Sequence, residues 1–146
     1  MSMSAEFFLD TNVLVYAATG TDAERIKRNR ALTLIQSGNF GISTQVLQEF
    51  YVVATRKVSV PMSSRLALQW IDQLDGCPCV AIDADLVKLG VSISVRYQIS
   101  YWDAAILAAA EALGATIVYS EDLQHDQTYD RLRVENPFLA GASLGS

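Results

Sequence analysis

Two apolar segments that run directly into acidic residues place the strongest constraint on the fold of this chain. The segments Glu6-Phe-Phe-Leu-Asp10 and Thr116-Ile-Val-Tyr-Ser-Glu-Asp122 have the composition of buried parallel strands that end in polar residues. Open α/β sheets bind their ligands at the carboxyl ends of such strands. The sequence therefore predicts a parallel sheet with Asp10 and Asp122 at its ligand-binding edge.

Helical segments alternate with strands along the rest of the chain. Helices are predicted over residues 11–18, 22–37, 45–57, 64–76, 84–97 and 102–113, and further strands over 40–43 and 79–82. In the second helix, Ile26, Ala31, Leu34 and Ile35 are expected to face the core. This order favours an α/β fold with a central, mostly parallel sheet, right-handed crossovers and helices on both faces.

The length and composition favour a single domain. With 146 residues, of which 51% are hydrophobic, the chain can bury a sizeable core but is short for two domains. We predict one domain over residues 1–138 and a flexible tail over 139–146, because the tail has little to pack. No apolar stretch approaches the ~20 residues of a membrane span, and no signal-peptide pattern is present. We therefore expect a cytoplasmic protein with no membrane partner.

The overall charge is acidic, but basic residues cluster locally. A net charge of −5 argues against binding nucleic acid over a wide surface, because neutralising many phosphates requires an excess of Lys and Arg. Within six residues, however, the chain carries Arg25, Lys27, Arg28 and Arg30. This cluster is either a solvated helix end or a patch that positions an RNA backbone without reading its sequence.

Two of the candidate acids have ordinary structural explanations when each is considered alone. Asp10 stands where a strand gives way to a helix, a position at which Asp commonly caps the free N–H groups of the helix. Asp103 follows Ser100 by three residues, so the pair resembles a capping box. Neither residue by itself demands a functional role.

The acid after the last predicted strand is not uniquely defined by the sequence. Asp122 can belong to a polar turn, a position that Asp often takes. Its neighbours Glu121 and Asp126 are acidic too. Which of the three would take part in a site with Asp10 is therefore left open.

Glu49 is the acid that a structural role explains least well. It lies one helical turn from Val46, Val52 and Val53, at the margin of the apolar face of its helix. Carboxylates avoid such positions unless they are paired. An arginine can supply that partner, and so can a divalent cation shared with other acids.

The four acids together indicate a site for a hard divalent cation. Asp10, Glu49, Asp103 and Asp122 offer oxygen ligands without a His or Cys companion, a set that suits Mg²⁺ or Mn²⁺ better than zinc. Mg²⁺ retains waters and binds phosphate oxygens readily, so an all-carboxylate site most often acts on phosphoryl or phosphodiester groups.

The motifs around these acids resemble those of PIN-domain ribonucleases, and in size and layout the chain is similar to the VapC-type toxins of bacterial toxin–antitoxin pairs. The resemblance covers almost the whole chain. It rests on Phe8-Leu-Asp-Thr-Asn12, Ser43-Thr-Gln-Val-Leu-Gln-Glu49, Tyr101-Trp-Asp-Ala-Ala105, Tyr119-Ser-Glu-Asp-Leu123 and Asn136-Pro-Phe138, in the order of the family.

The resemblance implies a PIN-like three-layer αβα fold and an endoribonuclease that depends on Mg²⁺ or Mn²⁺ and cuts single-stranded regions of structured RNA. It also implies a homodimer that is silenced by a small antitoxin protein. The matching positions are the four acids Asp10, Glu49, Asp103 and Asp122 and the polar residues Asn12 and Ser120. The family usually has Thr at the position of Ser120, so the hydroxyl is preserved.

Three other functions compete with this interpretation. A phosphatase of the haloacid-dehalogenase type needs a second Asp two residues after Asp10, but that position is Asn12. A receiver-like signalling domain needs no acid on a mid-chain helix, and its Lys at a late strand end is missing. The third is a catalytically inactive PIN-like module that binds RNA or another protein, which an RNA cleavage assay would distinguish from an enzyme.

Overall fold

A computed structural model describes residues 3–139 of the protein, in which α-helices and β-strands alternate. The helices are α1 (Thr11–Thr19), α2 (Arg25–Ser37), α3 (Thr44–Arg56), α4 (Ser64–Leu74), α5 (Ala84–Tyr97) and α6 (Tyr101–Ala112), and a 3-10 turn over Asp22–Glu24 precedes α2. The strands are β1 (Phe7–Leu9), β2 (Phe40–Ser43), β3 (Cys79–Val80), β4 (Ile117–Tyr119), β5 (Thr128–Tyr129) and β6 (Leu132–Glu135). Except for Leu139, the proposed flexible tail lies outside the described residues.

The strands form one sheet in the order β3-β2-β1-β4-β6-β5. All neighbouring pairs are parallel except β5 and β6, which are antiparallel. Phe8 of β1 lies opposite Gly41 of β2 on one side and Val118 of β4 on the other. The helices pack in two groups, α1–α4 and α5–α6, which right-handed crossovers would place on opposite faces of the sheet. The six helices and the mostly parallel sheet confirm the predicted α/β fold.

The central strand and one helix explain most of the core. Phe8 and Leu9 of β1 are fully buried because β1 has neighbours on both edges and helices over both faces. On the other side of the molecule, α6 buries every residue from Ala104 to Ala110. Its small side chains let the helix approach both the sheet and α5 closely. Across residues 3–139, none of the helices is both long and apolar enough to cross a bilayer.

Two details of the predicted elements were wrong. Ile26 was expected in the core but is 70% exposed, because it lies about 140° around α2 from the fully buried Ala31. The two strands after β4 were not predicted. They are only two and four residues long, and they meet at a turn in which Asp130 has a φ of 55°.

Gly41 marks the closest approach of helix and sheet. A Cβ added there would lie 2.6 Å from Cδ1 of Leu113, just after α6, and 2.9 Å from Cβ of Ala5. Gly41→Ala is therefore expected to lower the free energy of unfolding by about 1–3 kcal/mol through overpacking. Gly76→Ala is the matched control, because its Cβ would meet only the Gln73 carbonyl at 3.6 Å. Equal urea midpoints for the two variants would contradict this account of Gly41.

Candidate active site

Asp10 lies at the carboxyl end of β1 and caps α1. Its Oδ1 accepts a hydrogen bond of 2.7 Å from the Thr11 backbone N–H, and its Oδ2 accepts one of 2.7 Å from the Ser120 hydroxyl. The residue is only 6% exposed. Asp10 therefore has the capping role expected of it, but it is also buried at the edge of the sheet where β1 and β4 both end.

The surroundings of Asp10 disfavour its negative charge. Burial raises the pKa of this carboxyl to about 6. Hydrogen bonds from Ser120 and Thr11 oppose the rise in pKa, while the charges of Asp122 and Glu49 add to it. Three acids that are distant in sequence thus act on one another at this edge of the sheet.

Glu49 reaches the same place from α3. The Thr11 hydroxyl donates to its Oε2 at 2.9 Å, and the Gln45 side-chain amide donates to its Oε1 at 3.1 Å. Thr11 therefore links the two acids, since its backbone N–H binds Asp10 and its hydroxyl binds Glu49. Neither Thr11 nor Gln45 was identified from the sequence as a partner of Glu49. For Gln45, the sequence contained one indication, its spacing of one helical turn from Glu49.

Asn12 and Ser120 connect Asp10 with the loop after β4. The Asn12 amide donates to Asp122 Oδ2 at 3.2 Å, and its carbonyl oxygen accepts from the Glu121 backbone N–H at 3.1 Å. The Ser120 hydroxyl, besides donating to Asp10, accepts from the backbone N–H of Asp122 at 3.1 Å. These two polar side chains fix the position of Asp122 relative to Asp10.

Asp103 comes from a different element, the helix α6. It occupies the first turn of α6, where its backbone N–H donates to Ser100 Oγ at 3.1 Å, as expected for a capped helix. The Asp103 charge is not among those that raise the pKa of Asp10, but it contributes, after burial, to the raised pKa of Tyr129. Hydrogen bonds and charge effects thus link Asp10, Glu49 and Asp122, and the place of Asp103 in the same site stays a prediction.

The donor set of this group fits a hydrated divalent cation. In the part of the chain from Met3 to Leu139, no three acidic, His or Cys side chains are close enough together to bind one ion. Mg²⁺ does not require such a cage, because it commonly retains several waters and binds only one or two carboxylates. A buried carboxyl with a raised pKa, facing two further acids, is the kind of site that a cation would stabilise.

Of the acids that follow β4, Asp122 is the one that faces Asp10 through Asn12. Glu121 is already occupied, because its Oε2 forms a 2.5 Å ion pair with Lys27 Nζ and its Oε1 accepts from the Tyr16 hydroxyl at 2.8 Å. The hydrogen bond to Glu121 raises the pKa of Lys27, so the ammonium stays charged. Lys27 therefore holds the loop of Glu121 and Asp122 against α1 and α2.

The remaining basic residues of the predicted patch have different surroundings. Arg30 donates to the backbone carbonyls of Pro137 at 3.0 Å and Leu139 at 2.6 Å, so it secures the segment after β6. Arg28 makes a longer bond, 3.4 Å, to a carbonyl at the end of α1. Arg25 is exposed. A role of the cluster in binding RNA stays a prediction.

A groove of about 370 Å³ leads away from the acids between α1 and α3. Asn12, Glu49 and Asp122 line one end of it. Apolar side chains form its middle, and Lys57 lines the part beside the end of α3. None of the four residues of the basic cluster is among its lining residues in the described chain. The site is therefore open to an extended ligand.

The family and the fold are both found among known proteins. Among solved structures, VapC20 from Mycobacterium tuberculosis, described as a toxin that cleaves the sarcin–ricin loop, is similar at 23% identity and a TM-score of 0.63, over 80% of this chain and 89% of that chain. A toxin–antitoxin complex from Klebsiella pneumoniae gives 19% identity and a TM-score of 0.67, over 92% and 98%. VapBC2 from Rickettsia felis, bound to a promoter DNA fragment, gives 19% and 0.60, over 89% and 97%.

No curated protein sequence matches the chain. The model of the PIN domain, in contrast, matches residues 7–131. This span contains all four predicted acids and every element from β1 to the start of the β5–β6 turn. Because the match covers well over half of the sequence, this protein belongs to the PIN domain family.

Proposed function

We propose that this protein is an endoribonuclease that depends on Mg²⁺ or Mn²⁺ and hydrolyses phosphodiester bonds at the acidic end of the groove. The observation that carries the proposal is the buried Asp10, whose pKa of about 6 reflects burial and the nearby charges of Asp122 and Glu49. Carboxylates gathered at the open end of a groove are suited to a cation that binds phosphate oxygens. Membership of the PIN domain family supports the same chemistry.

The residues of the site would have different roles in this reaction. Asp10 and Asp122 are the candidate ligands, and Asn12 and Ser120 hold them in position through hydrogen bonds. Glu49, held by Thr11, is the candidate base or a further ligand. When bound, the cation lowers the pKa of a water and offsets charge on the phosphate oxygens. Asp103, in the first turn of α6, is included in the proposal as a fourth acid.

We also propose that the protein is a toxin of a toxin–antitoxin pair. Solved structures of similar fold include a toxin of Mycobacterium tuberculosis and a toxin–antitoxin complex of Klebsiella pneumoniae. The expected partners are RNA, a small antitoxin protein and a second copy of the chain. Light scattering on the purified protein tests the homodimer. Co-expression with the product of the adjacent gene tests the antitoxin, which should abolish RNA cleavage when it is bound.

Cleavage of bulk RNA by the purified protein is the direct test of the enzyme. We expect RNA fragments with Mg²⁺ or Mn²⁺, no fragments in EDTA, and recovery when Mg²⁺ is added in excess, because the acids need a cation to act on a phosphodiester. A wild-type preparation made in parallel with an Asp10→Asn preparation controls for contaminating nucleases. Fragmentation that is unchanged in EDTA would contradict the proposal.

The position of Asp103 after the Ser100 cap favours a second candidate, a PIN-like module that binds RNA or protein without cleaving it. In the structure, Asp103 is explained by its place after the Ser100 cap of α6. Such a module would bind RNA in the presence of Mg²⁺ and leave it intact. The cleavage assay distinguishes the two candidates when it is accompanied by a binding measurement on the same RNA.

A further inference from the structure

The groove has chemically different ends, and the two are connected by one face of α3. Glu49, Val53 and Lys57 follow one another at intervals of four residues, so they lie on the same face of the helix and all line the groove. The eight steps along the helix from Glu49 to Lys57 cover about 12 Å. A lysine thus lies about two helical turns from the acids.

The opposite wall is one face of α1, which extends over the same distance. Thr11 and Asn12 line the acidic end, Val15 and Tyr16 the middle, and Thr19 the far end. Both walls thus contribute lining residues over about two helical turns, from the acids to Thr19 and Lys57. A strand that extends along the two helices would contact both sets of residues.

Lys57 is free to bind a ligand, whereas Lys27 is not. Within residues 3–139, the Lys57 ammonium forms neither a hydrogen bond nor an ion pair, and the side chain is exposed. Glu24, the acid nearest the far end among the lining residues, accepts hydrogen bonds of 3.3 Å from the backbone and hydroxyl of Thr21. Glu24 is therefore held within its own turn and is not paired with Lys57. Among residues 3–139 the Lys57 ammonium has no ion-pair partner, so it can meet a phosphate.

The middle of the groove is suited to the uncharged parts of a nucleic-acid strand. Val15, Val53 and Val58 line it together with Tyr16. Ribose and base faces are the apolar surfaces that an unpaired strand offers between its phosphates. The groove thus offers sites for phosphate at both ends and an apolar floor between them.

We infer that Lys57 binds a phosphate of the same RNA strand whose reacting phosphate lies at the acidic end. This inference rests on the proposed function. It adds the path of the RNA strand, which runs along the groove from the acids to Lys57. A stacked strand advances ~3.4 Å per nucleotide, so over about 12 Å the second phosphate lies within about four nucleotides of the reacting one. Lys57 is a positioning residue, because it contacts substrate away from the bond that breaks.

Binding of a short RNA, rather than cleavage, tests this role. The probe is a fluorescein-labelled oligouridylate of about twelve nucleotides, within the usual range of single-strand site sizes, with Ca²⁺ in place of Mg²⁺ and the RNA checked for intactness by gel. Fluorescence anisotropy is recorded over a range of salt concentrations for the wild type, Lys57→Met, Lys57→Arg and Lys88→Met. Lys88 is the matched control, because it is exposed on α5 and does not line the groove.

We expect Lys57→Met to weaken binding about threefold or more at low salt and to lower the slope of log affinity against log salt by roughly 0.7, the value for one phosphate contact on a single strand. Lys57→Arg should restore both quantities, and Lys88→Met should match the wild type. Equal effects of Lys57→Met and Lys88→Met, or no binding by the wild type, would overturn the inference. Cleavage of bulk RNA by the wild type tests the proposed function separately. If the wild type cleaves RNA but Lys57→Met binds the oligonucleotide as well as the wild type does, the role of Lys57 is wrong and the proposed function still stands.

Discussion

Replacing Asp10 with Asn is expected to lower the rate of RNA cleavage by roughly 10³-fold or more while the fold is retained. Asn keeps an oxygen that can accept the Thr11 backbone N–H and is a good N-cap, so α1 should still begin at Thr11. What it removes is the negative charge at the acidic end of the groove. Initial rates with Mg²⁺, at equal concentrations of the folded proteins, measure the effect.

Asp72→Asn is the control for this substitution. Asp72 is exposed on α4, so the variant has the same change in net charge away from the groove, and it should cleave RNA at the wild-type rate. Asp103→Asn should be measured in the same series, since a loss as large as that of Asp10→Asn would place Asp103 in the reaction. An Asp10→Asn variant as active as Asp72→Asn would remove Asp10 from the mechanism.

The sequence was sufficient to predict that Asp10 and the loop after β4 meet. Asp10 and this loop each follow an apolar strand, and the carboxyl ends of adjacent parallel strands lie at the same edge of a sheet. The fold class therefore brings them together, and in the structure the Ser120 hydroxyl donates to Asp10 at 2.7 Å. Glu49 was located by a different argument, because an acid at the margin of an apolar helix face needs a partner. Its link to Asp10 through Thr11 depends on how α1 and α3 pack, which no local pattern encodes.

Interactions between distant, exposed residues were beyond the reach of sequence patterns. Lys27 and Glu121 are 94 residues apart, and nothing near Lys27 distinguishes a residue that anchors a loop from one that binds RNA. Lys57 caps the end of α3, a position at which a lysine is commonly solvated. Its place in the groove depends on the packing of α1 beside α3. The apolar core can be predicted from local, periodic patterns in the sequence, whereas these contacts are set by tertiary packing.

In metal-free buffer, Asp10→Asn is expected to stabilise the protein at neutral pH by about 3 kcal/mol, the free energy that corresponds to a pKa shift of about two units. Burial raises the pKa of Asp10 from 3.8 to about 6, so ionising this residue in the folded state has a cost that the neutral Asn avoids. The Ser120 hydroxyl oxygen already accepts the backbone N–H groups of Asp122 and Leu123, so an Asn amide nitrogen cannot replace the bond that the carboxylate accepts. The loss of that bond offsets part of the gain by an amount that does not depend on pH. Asp72→Asn should show no such gain.

The dependence of this gain on pH identifies its source. Because the folded pKa of about 6 lies above the unfolded value of 3.8, the stability that Asp10 contributes is fully present below the unfolded pKa and is lost as the pH rises through about 6. The difference in unfolding free energy between the wild type and Asp10→Asn, measured by urea titration in EDTA, should therefore change in favour of Asp10→Asn between pH ~4 and pH ~6 and be constant above pH ~6. Mg²⁺ at a hundred times its Kd should then stabilise the wild type by roughly 2.7 kcal/mol and close most of the gap. A gap that is constant across this pH range would show that packing, and not the charge of Asp10, separates the two proteins.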